Sequence, residues 1–452
     1  MEPWSHAGSP SSCPYPAGPA PLHGRALEQD LDAVYAGLRR RTGPVVAVEI
    51  APGVGAWLVL GHREVLEVVW HPERYASDPR RWNAVVHGLL PEDSPLLPLL
   101  GPRPTVSRLD GEEHLRHRRA MTAALGRIDL RQLSRLVRRR ANALVDALAA
   151  GGTADLVAQY SRPLVRHVYA QLLGLPEDAI STMDPLIRTV VNTLPGAAPA
   201  EAELLDALRR LVAARSAAPG PDLSSWLAQE APLTDDEIAH NLLDLVLIGG
   251  ESVVGWIGDA VRLFCAQYGP APVTGPGGPV PLLVEQALCT AAPVPNITGR
   301  WATADVILAG YRIQAGELVI PCLAAANADP ELGDTPALRT RAHLAWGTGS
   351  HGCPAKDAAR LVVETAVEVL LDRLPDVRPT LPDTAGRPSL WCGAPAALPV
   401  VFSATGPGHS GHGTAAPPPA VMDAPARRRD GGATDEAAHQ RWGWWNSFGG
   451  GW

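Results

Sequence analysis

Cys353 lies in the run WGTGSHGCPAKDAARL, surrounded by the residues a reactive sulfur needs. A thiolate is a soft, strong metal ligand. Gly347, Gly349 and Gly352 keep the loop small enough for the sulfur to approach a flat ligand closely, and a helical pattern begins just after the cysteine. Backbone N–H groups and the dipole at a helix start favour anionic sulfur and tune its electron donation. His351 and, far upstream, Arg118 offer positive charge to the carboxylates of a bound group. Taken alone, such a loop is more often a buried free cysteine in a Gly-rich turn.

Two further stretches carry chemistry. In LLDLVLIGGESVVGWIGDAV, an acid, Glu251, precedes an alcohol, Ser252, after the pair Gly249 and Gly250. An acid beside a hydroxyl can pass protons, although a helix kink with a solvated acid explains the same residues taken alone. In LDGEEHLRHRRAM, His114 and Arg118 fall four apart on one helix face, where an Arg-rich solvated helix is the competing view.

Together these stretches resemble the cytochromes P450. The haem-binding loop of that family runs aromatic, Gly, x, Gly, x, basic, x, Cys, x, Gly, which Trp346, Gly347, Gly349, His351 and Cys353 match, with Ala355 at the last position. The resemblance implies haem b as cofactor and Cys353 as the thiolate ligand of its iron. In the family's central helix a small residue, Gly, x, an acid and Thr cross the distal face. Here Gly249, Gly250, Glu251 and Ser252 fall in register, with Ile248 at the first position. That register implies room for dioxygen at Gly249 and a proton relay through Glu251 and Ser252. Serine keeps the hydroxyl but lacks the methyl that restrains its rotamer. By the same resemblance His114, His351 and Arg118 face the haem propionates, joined by Arg300 in NITGRWATADV.

The chain departs from the family where Glu, x, x, Arg normally forms an ion pair that braces the core below the haem. In LLVEQALCTAAPV the two positions are Gln286 and Cys289, and the frame starting at Glu285 ends on Leu288. The family's Pro-Asp-Arg-Phe stretch shrinks to LGDTPALRTRAHLAWG. Loss of both partners leaves no uncompensated buried charge, so the fold is expected to survive without the brace. The segments EQALC, NITGRW, LAAANADPE, AHLAWGTGSHGCP and LLDRLPDV resemble an actinobacterial branch of the family that also lacks the pair. Its members are encoded beside conservons, small operons holding a sensor-kinase-like protein and a Ras-like GTPase. The family resemblance spans roughly residues 13–402.

The elements that must position these residues are mainly helical. Residues 1–24, rich in Pro, Gly and Ser, read as an extended arm before the fold begins. Ala26 to Arg41 has helical spacing and feeds a hairpin, Val45 to Ile50 and Ala56 to Leu60, across APGVG. From Arg63 to about Leu247 apolar residues recur at three- and four-residue intervals, and strand signals return at 305–308, 311–313 and 318–320. Residues 354–373 form one long amphipathic helix. The resulting fold class is mainly α with small β-sheets, a single-domain cytochrome P450 fold over 25–403. Residues 404–452 read as a disordered Pro/Gly-rich tail that ends in RWGWWNSFGGGW.

Composition narrows the partners. A net charge of −8 argues against nucleic acid, and 46% hydrophobic residues suffice for a large core. Arginine supplies almost all the positive charge, with Lys356 the one lysine. The first residues hold no apolar run and no segment offers about 20 uninterrupted apolar residues, so a cytoplasmic protein without a membrane span is expected. Six scattered cysteines without CxxC spacing oppose a zinc site or disulfide framework.

The resemblance implies a haem-thiolate monooxygenase that takes electrons from a ferredoxin and ferredoxin reductase. Arg116, Arg119 and Lys356 would flank an acidic donor's docking face. Apolar, Pro-rich stretches at 80–105 and 185–200 suggest a small lipophilic substrate. A second reading, favoured by the missing pair and the operon context, is a haem-binding sensor or signalling subunit without turnover, acting with a GTPase-operon protein; Glu251 argues against it. The tryptophan-rich end reads as a docking motif for a partner, with oxidative crosslinking or a sticky end without a role as alternatives.

Overall fold

Asp30 fixes where the ordered body takes its first long turn: its carboxylate accepts from the N–H groups of Asp32 and Ala33 and starts helix α1, Leu31–Thr42. The expected helix from Ala26 is therefore divided, a short 3₁₀ turn at Gly24–Glu28 preceding the cap. The computed structural model describes residues 18–230, 232–269, 278–333, 343–380 and 389–404, all within one compact unit. Most of the N-terminal arm and the tail with its tryptophan cluster lie outside the described residues.

The strands are β1 (Ala20–Pro21), β2 (Val45–Ala51), β3 (Val54–Val59), β4 (Tyr75–Ala76), β5 (Thr153–Asp155), β6 (Arg300–Ala302), β7 (Val306–Leu308), β8 (Tyr311–Ile313), β9 (Leu318–Pro321), β10 (Arg378–Pro379) and β11 (Pro399–Val401). The largest sheet runs β1-β2-β3-β9-β6-β4. The end of the arm is already part of it: Ala20 and Pro21 pair with Val48 and Glu49, and Leu22 is buried. That corrects the expectation that the fold begins after residue 24. For the site, the important pairings are Arg300 with Val319 and Tyr75 with Ala302, which fix β6 and the turn that follows β4.

Helices make up the rest. The ones used below are α2 (Gly111–Leu125), α3 (Leu130–Leu148), α4 (Arg162–Leu173), α5 (Glu177–Val191), α6 (Ala197–Ala217), α7 (Asp235–Tyr268), α8 (Val280–Thr290) and α9 (Lys356–Arg373). Helix α3 shows why they pack. Leu133, Val137, Ala141, Val145 and Leu148 recur at four- and three-residue steps, all are buried, and this stripe lies against α9. Burying each large member of the stripe contributes about 1.5–3 kcal/mol.

Helix α7, 34 residues long, starts with a capping box in which Thr234 and Glu237 exchange hydrogen bonds. It is the one helix among the described residues long and apolar enough to cross a membrane, and most of that apolar stretch is buried in the core. Over Leu245–Gly250 it widens into a π-turn, directly before Glu251. The adjacent glycines Gly249 and Gly250 make that widening easy.

Further along α7, Gly255 touches another segment so closely that a Cβ would lie 2.9 Å from Ala394 Cα. Helix propensity alone would make Gly255→Ala stabilising by about 1 kcal/mol. The contact is to backbone and cannot give way, so we expect Gly255→Ala to destabilise by about 1–3 kcal/mol, measured as a lowered denaturation midpoint at unchanged m-value.

Candidate functional site

The Trp346–Cys353 loop is held by its own backbone. Cys353 N–H donates to the Trp346 carbonyl at 2.8 Å, and Gly347 N–H to that of Leu344 at 2.7 Å. Gly347 and Gly349 have φ of +64° and +69°, in the left-handed region, so both positions demand glycine for conformational reasons. Gly352 does not; its φ is −57°. One of the three glycines thus owes nothing to backbone handedness. The loop rests on Trp70, whose ring N–H donates to Thr348 Oγ1 at 3.1 Å.

Helix α9 begins at Lys356, directly after Ala355, whose N–H acts on the Cys353 sulfur. Burial pushes the thiol up, while that N–H, Arg118 and Lys356 pull it back. A bound cation would complete the shift toward thiolate.

Around this loop His114, Arg118, Arg300 and His351 come together as expected. The His114 and His351 rings lie 4.1 Å apart. Arg118 donates to the Gly352 carbonyl, next to Cys353. Burial, then His351 and Arg118, hold His114 down at about 4, and burial lowers Arg300 to about 10. Asp110 is the carboxylate facing the group, 3.7 Å from His351; it also accepts from the Ser77 and Asp78 N–H groups, and Ser77 Oγ lies 3.0 Å from His351 Nε2. Sequence reading missed Asp110 and Ser77, although Asp110 stands at the helix-cap position of LDGEEH.

These residues fit a group with two negative charges. His114 Nε2 is buried without a hydrogen-bond partner among the described residues. The buried Arg300 guanidinium donates to the neighbouring Gly299 carbonyl at 2.8 Å, which leaves most of its donors for a ligand. A small, mainly apolar cavity bordered by Leu125, Tyr169, Val253, Ala355 and Ala359 lies among α4, α7 and the start of α9. A ligand carrying two carboxylates matches the unpartnered His114 nitrogen and the spare donors of Arg300.

Glu251 and Ser252, neighbours in sequence, point to different partners. Glu251 is buried and paired with Arg162, which also reaches Asp184 at 3.2 Å. Burial works against charge on Arg162, but the two acids outweigh it and raise its pKa. Ser252 Oγ donates to the Gly249 carbonyl at 3.0 Å. A Cβ on Gly249 would meet the Tyr169 hydroxyl at 2.6 Å, whereas one on Gly250 would enter open space. The room expected at Gly249 is thus taken by Tyr169, and Gly250 provides the opening. Tyr169 gave no sequence signal beyond its place in a helical pattern. Arg116 does not flank a free face either: it pairs with Glu237 at the start of α7. Arg119 and Lys356 are exposed.

The brace is rebuilt. Glu285 accepts from His343 Nε2 at 2.8 Å and from Arg360 at 3.1 Å, and these bonds lower its pKa, His343 having the largest effect. The expectation that neither frame supplies an ion pair holds within α8 but not across the fold, because the partners lie 58 and 75 residues away.

No protein-family model matches the chain. Individual proteins do. It is 32% identical over 364 residues to cytochrome P450-SU2 of Streptomyces griseolus, covering 76% of this chain and 86% of that one. The chain belongs to the cytochrome P450 family. The mycinamicin IV hydroxylase/epoxidase of Micromonospora griseorubida is also 32% identical, covering 80% of this P450 and 94% of its relative. Among solved structures, CYP154C4 from Streptomyces sp. W2061 superposes with a TM-score of 0.76 at 28% identity, covering 85% and 97%. This P450 is a monooxygenase-type oxidoreductase of the single-domain P450 fold, and its cofactor is haem b.

Two outcomes test this corner. If Arg300 holds a propionate, replacing it by Leu should quicken haem transfer to a competing haem acceptor by about 10–100-fold. In haem-free protein, His114 binds its proton less readily folded than unfolded. Stability should therefore fall as the pH drops from 6.5 toward 4, and this dependence should flatten in His114→Gln, read by denaturant titration.

Proposed function

We propose that this cytochrome P450, acting in the cytoplasm, inserts one oxygen atom of dioxygen into a small lipophilic substrate, with Cys353 as iron ligand, Glu251 and Ser252 as proton carriers, and a ferredoxin with its reductase as electron source. His114, Arg118, Arg300 and His351 hold the propionates, and Trp346 and Gly347 shape the ligand loop. When bound, the haem supplies dioxygen activation: substrate C–H, dioxygen, two electrons and two protons become an alcohol and water.

Glu251 carries this reading. It is a buried acid, one residue before the Ser252 hydroxyl, bordering a small, partly open pocket together with Arg162, Asp184 and Gly250. Because Arg162 is held by two carboxylates, Glu251 can turn away while Asp184 still compensates the guanidinium. A proton taken up at the Glu251 carboxylate then passes to the Ser252 hydroxyl, whose own proton moves on toward the reacting site. Gly249 serves this helix by admitting the Tyr169 hydroxyl beside it.

A subunit that only bound a ligand would have no use for such an acid. The missing helix pair had favoured that sensor reading, and Glu285 with its two partners removes the argument.

The lipophilic substrate is supported by the covering segments. Val86 and Leu89 on one and Leu194 on another are exposed, and the short helix Leu97–Leu100 packs against α5 and α6. Exposed Arg119 and Lys356 favour an acidic electron donor.

Glu251→Gln should lower product formation by about 10–100-fold while leaving the ferrous carbon-monoxide spectrum unchanged. Ser252→Ala should keep consuming dioxygen but release more of it as peroxide. Wild-type rates in both variants, measured with a ferredoxin, its reductase and a lipophilic test substrate, would remove the relay. The apparent KM for the ferredoxin should rise with ionic strength.

A further inference from the structure

Around Trp346 the contacts form a closed circuit. Its ring meets that of Trp256 on α7 edge to face, with centroids 5.2 Å apart. Trp256 Nε1 donates to the Val284 carbonyl on α8 at 2.8 Å. The next residue, Glu285, holds Arg360 of α9, and the Arg360 guanidinium lies 5.9 Å from the Trp346 ring centroid. Beside it, His343 links Glu285 to the strand of chain that enters the loop, and its Nδ1 accepts from the Ala345 N–H at 3.3 Å. The Trp346 carbonyl in turn receives the Cys353 N–H. The circuit thus passes through α7, α8 and α9 and closes on the residue that holds the cysteine backbone.

The two positions where the family carries its ion pair are occupied elsewhere. Gln286 accepts from Gln267 at 3.3 Å, and the Cys289 thiol donates to the Glu285 carbonyl at 3.4 Å. Neither touches the loop in these contacts. A second link runs from the Leu288 carbonyl through Asn327, whose Oδ1 accepts from Leu344 N–H at 2.7 Å.

We propose that Glu285, His343 and Arg360 are positioning residues that hold the Trp346–Cys353 loop, and through it the iron-ligating sulfur, by gripping the indole ring of Trp346. The inference rests on Cys353 being the haem ligand. It also explains why an indole is useful at position 346: of the aromatic side chains, indole binds a cation on its face best, and here one ring takes a guanidinium and a second indole. Arg360 is more than a neutral space-filler in this arrangement, because one guanidinium serves the Glu285 carboxylate and places its charge over the Trp346 ring at the same time.

The test compares the ferrous carbon-monoxide spectrum of full-length holoprotein with that of Glu285→Gln, Arg360→Met and the double variant, each well below its Tm. Wild type should give the red-shifted thiolate band. Each single variant should raise the ratio of unshifted to shifted band by roughly three- to tenfold. The double variant should add little to the larger single effect, since both cut one circuit. Arg360→Lys should fall between wild type and Arg360→Met.

Arg373→Met is the control for destabilisation alone. It cuts contacts with Asn142 and Asp146 at the other end of α9, so it should lower Tm and leave the band ratio at the wild-type value. Single variants with the wild-type ratio, or a control that shifts the ratio as much as they do, would overturn the brace. A wild-type protein without the red-shifted band would instead overturn Cys353 ligation itself.

Discussion

Arg118 reaches from α2 to the Gly352 carbonyl and stands beside two histidines and the buried Arg300. So much potential positive charge in a protein interior is unfavourable unless a group of opposite charge shares the space. Much of the local architecture serves that one requirement. Helix α2 brings His114 and Arg118, the β6 pairing with β9 sets Arg300, and the turn after β4 fixes Asp110 and Ser77 against His351. The fold thus suits an anion at this corner, which is the charge the propionates of a haem would bring.

Helix α7 solves a second problem, that of placing an acid and an alcohol close in sequence without tying them to each other. The π-turn ends at Gly250, so Glu251 and Ser252 begin the next helical segment. Glu251 faces Arg162 of α4, while Ser252 bonds back to the widened turn. The acid is therefore stored in an ion pair that also involves α5 through Asp184. Motion of α5, a helix near the apolar covering segments, would be felt at the acid.

The parts of the site legible in the sequence are those carried by short local patterns. Cys353, His351, Gly347 and Gly349 sit within one loop, and His114 and Arg118 within one helix turn, so each group forms a local pattern that the family resemblance could match. Arg300 followed from the resemblance of NITGRWATADV, and it is the first residue of β6. What spacing could not reveal were partnerships across the fold. Glu285 reads as an ordinary helix residue, because its acceptor role is set by His343 and Arg360 far along the chain. Tyr169 looks like core, and only packing turns its hydroxyl toward Gly249. The hairpin and the α9 pattern were plain in the sequence, whereas β1, β4 and β5, two or three residues long, are too short for any alternation to register.

Lys356 stands exposed at the first residue of α9, three positions beyond Cys353, and the chain contains no other lysine. Amine-directed reagents therefore meet one side chain, besides the chain's α-amino group. A dye, a tether or an acetyl group added there would mark the face behind Cys353 and leave the arginine-based charges elsewhere untouched, giving this protein a built-in single-site handle for orienting it on a surface or electrode.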